Sequence, residues 1–101
     1  MKKIISGKVY NTETAEFLGE DSYSNITDWH YYSEELYRTK KGAYFMHGKG
    51  NGLSKYGEHN GDFGYCPGET IEVISEDEAR AWAEEHMSAE EYMELFEVEE
   101  G

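Results

Sequence analysis

Thr70-Ile71-Glu72-Val73-Ile74-Ser75-Glu76-Asp77-Glu78-Ala79-Arg80-Ala81-Trp82-Ala83-Glu84-Glu85-His86-Met87 holds a complete switch of backbone period. Thr70 to Ile74 is mostly β-branched and predicts a strand. Ser75-Glu76-Asp77-Glu78 is a capping box, in which the Ser75 and Glu78 side chains satisfy each other's orphan amides, so a helix begins there. Ala79, Trp82, Ala83 and Met87 then recur at helical spacing and form one apolar stripe, with Glu76, Asp77, Arg80, Glu84 and Glu85 elsewhere on the wheel. Ser88-Ala89-Glu90-Glu91 repeats the capping pattern and predicts a second helix with Ala89, Tyr92, Met93 and Phe96 as its buried stripe.

Upstream, the aromatic run Tyr31, Tyr32, Leu36, Tyr37 and the run Ala43-Tyr44-Phe45-Met46-His47 flank Thr39-Lys40-Lys41-Gly42 and predict a hairpin, with Gly42 supplying a positive φ. Lys40 and Lys41 read as its turn, and His30 falls in the aromatic strand region. Lys3 to Tyr10 reads as a first strand with Gly7 at a bulge, Asn11 to Thr14 as a turn, and Ala15 to Gly19 as a short second strand. Seven of the eleven glycines and the single proline lie between Gly48 and Gly68, which predicts a long loop at about 48–68. The expected fold is α+β: an antiparallel β-meander followed by two short C-terminal helices packed on one face. All 101 residues fit one compact domain.

The composition excludes several classes of function. Net charge is −13, yet residues 1–50 hold seven basic and seven acidic side chains, so the whole excess belongs to residues 51–101. Phosphate binding needs clustered Lys and Arg, so direct contact with nucleic acid or an anionic membrane is not expected, whereas a basic protein partner is. A solvated acidic face serving solubility alone is the competing reading. No apolar run reaches bilayer length, and Met1 to Ile5 gives way to Ser6-Gly7-Lys8 before a signal-peptide core develops. A lone Cys66 fits a reducing compartment, and a cytoplasmic location is expected.

No serine occupies a Gly-x-Ser-x-Gly elbow, and Cys66 beside Pro67-Gly68 has no hydrolase-like setting, so a non-enzymatic role is expected. Gly48-Lys49-Gly50-Asn51-Gly52 lacks both the Walker spacing and the dinucleotide fingerprint. The remaining chemistry is metal binding. His47, His59, Asp62 and Cys66 lie in or beside the glycine-rich segment and offer imidazole, carboxylate and thiolate ligands suited to zinc, although their spacing matches no standard finger. A half-buried Cys66 acting as a small hydrophobe is the alternative. The rings of Trp29, Tyr31, Tyr32, Tyr37, Tyr44 and Phe45 lack the cationic groove of a single-strand binder and read as core or partner contacts.

Lys8-Val9-Tyr10-Asn11-Thr12-Glu13-Thr14-Ala15, Leu36 to Gly42, Leu53-Ser54-Lys55-Tyr56 and Ser75 to Glu85 together resemble a family of small acidic proteins carried by phages and mobile elements of Gram-positive bacteria. Some proteins of that setting are anti-CRISPR inhibitors of Cas9, at least one of them described as zinc-binding. The resemblance implies an inhibitor that meets the positively charged channel of such an effector and blocks nucleic-acid loading. The contact charge would come from Glu76, Asp77, Glu84 and Glu85 on the first helix and Glu90, Glu91 and Glu94 on the second. The alternative is a zinc-stabilised accessory module built on His47, His59, Asp62 and Cys66.

Overall fold

The computed structural model describes residues 1–59, 61 and 64–101. Among the described residues eight strands precede two helices: β1 (Lys2–Ile5), β2 (Lys8–Asn11), β3 (Glu16–Tyr23), β4 (Tyr32–Arg38), β5 (Tyr44–Gly50), β6 (Glu58–His59), β7 (Tyr65–Cys66), β8 (Gly68–Ile74), α1 (Glu76–His86) and α2 (Ala89–Leu95). The main sheet is antiparallel with order β3-β4-β5-β8, and β1-β2 and β6-β7 form separate ladders. This is the expected α+β architecture of an antiparallel sheet followed by two C-terminal helices packed on it.

Alternation along the central strands sorts their side chains to two faces. Leu36, Tyr44 and Met46 meet Ala79, Ala83 and Phe96 on one face, where Leu18, Ile74, Trp82, Met87, Tyr92 and Leu95 pack around them. Tyr37, Phe45 and Ile71 point the other way and are covered by Tyr10 and Ile5 of the β1-β2 hairpin. Leu36 and Phe45, neighbours across the β4-β5 ladder, are both fully buried, one to each side. Each such side chain stabilises the fold by about 1.5–3 kcal/mol. The order of layers is therefore hairpin, sheet, helices.

Both capping boxes are complete: Ser75 Oγ accepts from Glu78 N at 3.1 Å, and Ser88 Oγ accepts from Glu91 N at 3.2 Å. The β4-β5 turn is also as expected, with Gly42 at φ 90° and its N–H donating to Thr39 O at 2.9 Å.

Several boundaries differ from the sequence reading. Lys3 to Tyr10 is a hairpin rather than one bulged strand, because Ser6 and Gly7 both take positive φ (52° and 77°) and reverse the chain in two residues. The second strand runs on to Tyr23, since Glu20, Asp21 and Ser22 ladder with β4 whatever their polarity; the register shift between Phe17 and Gly19 is the bulge. The loop read at 48–68 is shorter, because Gly48 and Gly50 belong to β5 and the β6-β7 ladder lies within it. In α2 the expected stripe turns outward at Ala89 and Met93, the latter 61 % exposed, because α2 meets the core through Tyr92, Leu95 and Phe96. His30 lies in the β3-β4 loop, not in a strand.

Candidate functional site

Burying Ala79 and Ala83 leaves the opposite side of α1 to water, and its carboxylates with it. Glu76, Asp77, Glu84 and Glu85 on α1 and Glu90, Glu91 and Glu94 on α2 are all exposed. They are not equivalent. Glu76 Oε2 accepts from Arg80 Nε at 3.0 Å, while the same guanidinium donates to Glu97 O at 3.1 Å and lies 4.8 Å from the centre of the Phe96 ring. Arg80 therefore ties α1 to the chain beyond α2 and neutralises Glu76. Glu91 completes a capping box, accepting from Ser88 N at 3.1 Å. Glu85 lies 3.9 Å from His86 Nε2. Among the described residues, Asp77, Glu84, Glu90 and Glu94 have no cationic partner. Glu90 and Glu94 stand four apart on one helix, a like-charge pair costing a few tenths of a kcal/mol.

Under α1 sits a carboxylate that reading the sequence missed. Glu34 is 5 % exposed. It accepts from Lys55 Nζ at 2.8 Å, from Trp82 Nε1 at 3.3 Å and from the Tyr56 hydroxyl. Burial pushes its carboxyl up, but the three donors together outweigh burial and hold it below the ordinary carboxylate value. The same burial, with the Glu34 charge, pushes the Tyr56 phenol far above its usual range. Tyr56 reaches this position because Gly48 has no side chain: a Cβ there would meet the Tyr56 ring. The Lys55 ammonium lies 4.7 Å from the centre of the Tyr32 ring, a cation–π contact. A glycine-rich segment, the sheet and α1 are thus locked at one acidic node.

The described members of the proposed metal set, His47, His59 and Cys66, are not brought together. His47, on the hairpin-side face of β5, is buried with Nδ1 2.8 Å from Glu35 Oε1 and Nε2 2.6 Å from Glu69 Oε2, so both ring nitrogens are already engaged. In the β6-β7 ladder Cys66 pairs with Glu58 and His59 with Tyr65, which places Cys66 and His59 on opposite sides. The His59 and Tyr65 rings confirm this by packing edge to face at 5.2 Å. Asp62 lies outside the described residues. Among the described residues no group of three His, Cys, Asp or Glu side chains is placed to hold a metal ion.

Adjacent glutamates in an aromatic strand were the available signal for the Glu34 and Glu35 sites, since alternation sends one to each face. The rings divide likewise: Tyr37, Tyr44 and Phe45 are core, whereas Trp29 is 66 % exposed. Residues 1–12 carry three lysines and no carboxylate, so the hairpin layer is cationic and the helix layer anionic. Lys8, Lys40 and Lys41 line a cleft of ≈ 580 Å³ between that hairpin and the β4-β5 turn. Among the described residues no helix is long and apolar enough to cross a membrane. No family model matches the chain, and neither does any curated protein or solved structure.

Proposed function

We propose that this chain is a non-enzymatic inhibitor from a mobile element of Gram-positive bacteria, which binds a basic surface of a nucleic-acid-handling effector and blocks nucleic-acid loading. Cas9 is the named candidate. The observation that carries the reading is the exposed set Asp77, Glu84, Glu90 and Glu94, without a cationic partner among the described residues, on two capped helices of one layer. Such a surface is drawn to the positively charged channel in which an RNA-guided effector holds its guide and target. Carboxylates one helical turn apart rise ~5.4 Å, against ~3.4 Å between phosphates of one DNA strand, so the competition is by charge density and not by register.

Reversing Asp77, Glu84, Glu90 and Glu94 to Lys tests the face. Loss of binding to guide-free Cas9, with the circular dichroism spectrum retained, is the expected result; unchanged affinity rejects it. The alternative, a zinc-stabilised accessory module, would require His47 to release Glu35 and Glu69 and would require His59 and Cys66 to converge. Metal analysis of the purified protein separates the two: a stoichiometric ion lost on Cys66→Ala supports the module.

A further inference from the structure

At one end of the sheet, the β3-β4 loop displays Ile26 at 75 % exposure and Trp29 at 66 %, beside Leu53 at 44 %. Flexible loops often show apolar side chains, but this one is pinned. Asn51 Nδ2 donates to Ile26 O at 2.9 Å and to Asp28 O at 2.7 Å, and Leu53 N donates to Trp29 O at 3.0 Å. Within the loop Asp28 accepts from Ser24 Oγ at 2.6 Å and from His30 N at 2.8 Å. Ser24 takes φ 65°, a left-handed conformation that a non-glycine residue adopts only when its surroundings hold it there. A bonded, strained frame thus holds two large apolar side chains out in water.

We propose that the Ile26, Trp29 and Leu53 knob is the apolar anchor of the contact with the cationic partner, entering a hydrophobic pocket bordered by basic residues; this rests on the function proposed above. Charge complementarity selects that occupant. Glu58 and Glu69 border Ile26 across a shallow cleft that holds one lysine, Lys49. His86, at the C-terminal end of α1, lies 3.0 Å from Asp21 Oδ2, and Asp21 precedes the loop on β3. The acidic end of α1, with Glu84 and Glu85, therefore reaches the same end of the sheet. A rigid aromatic centre with a charged margin is the arrangement in which interface hot spots concentrate, and pre-ordering the loop removes the entropy cost of ordering it on contact.

The test titrates the full chain, Trp29→Ala, Ile26→Asp and the four-lysine variant onto guide-free Cas9 at low and at ~0.5 M salt. Trp29→Ala and Ile26→Asp are each expected to weaken binding roughly 30-fold through faster dissociation, and Trp29→Ala, which changes no charge, leaves the salt dependence unchanged. The four-lysine variant is expected to lose association rate and salt dependence instead. Trp29 emission should shift to the blue on binding, a shift absent from Trp29→Ala, which keeps only Trp82. Tight binding unaffected by either loop substitution overturns the anchor alone. Failure of the unmodified chain to bind overturns the proposed function and the anchor with it. A dimer of the free protein that dissociates on Ile26→Asp assigns the knob to a second copy and also overturns the anchor.

Discussion

The indole N–H of Trp82 on α1 reaches through the helix layer to the buried carboxylate of Glu34 on β4, 3.3 Å away. This bond joins residues 48 apart in sequence and, with the His86–Asp21 contact at 3.0 Å, ties the acidic helix to the sheet. The apolar hold on α1 comes from Ala79 and Ala83, its only fully buried side chains among the described residues, with Trp82 and Met87 packed beside them.

Glu34→Ala should cost about 1.5–3 kcal/mol, the range for hydrogen bonds to a charged group, because Lys55 can turn to water while Trp82 and Tyr56 are left without their acceptor. The acid limb of stability follows from the same group. Its carboxyl is lower in the folded protein than in the unfolded chain, so its contribution is complete above about pH 4.5 and is lost as pH falls through the folded value. Urea midpoints measured between pH 6 and pH 3 should fall less steeply in Glu34→Gln than in the unmodified chain.

Alkaline titration offers an independent check. Tyr56 and Tyr37 both have raised phenol values, in each case through burial first and then a neighbouring glutamate, Glu34 or Glu35. A raised acid favours the folded state below pH 10 and ceases to do so as pH climbs through the folded value. Ultraviolet difference spectra should show these two of the nine tyrosines ionising last. Tyr56→Phe should remove the component that ionises at the highest pH.

The two capping serines should respond differently to alanine. Each substitution removes a bond worth ~1 kcal/mol. Ser75→Ala should lower the global melting temperature, because α1 carries Ala79 and Ala83 into the core. Ser88→Ala should mainly release α2, which has no buried residue among those described within its seven. Hydrogen exchange should therefore rise at Tyr92 to Leu95 with little change in the strands.

The fold was legible where a signal is local. Ser75 with Glu78, Ser88 with Glu91, and Gly42 in its turn each specify a conformation within four residues. Ser6-Gly7 misleads because one glycine after a serine is compatible with either a bulge or a reversal; which occurs depends on whether β2 has a partner in β1. The polar half of β3 was obscured for the same reason, its strand character coming from β4. At the site, the exposed carboxylates of α1 and α2 followed from the helical wheel. Glu34 did not, because its burial needs Gly48 opposite, Tyr56 folded over and α1 above. The loop frame was equally hidden, since Asn51 bonds to carbonyls 23 and 25 residues earlier.

The lysine-bearing hairpin and the carboxylate-bearing helices lie on opposite faces of one sheet, and this gives the molecule a permanent electric moment across the sheet. In the field of a cationic target it would turn before it touched, arriving helices first. Productive encounters would then be selected by rotation in solution as well as by collision.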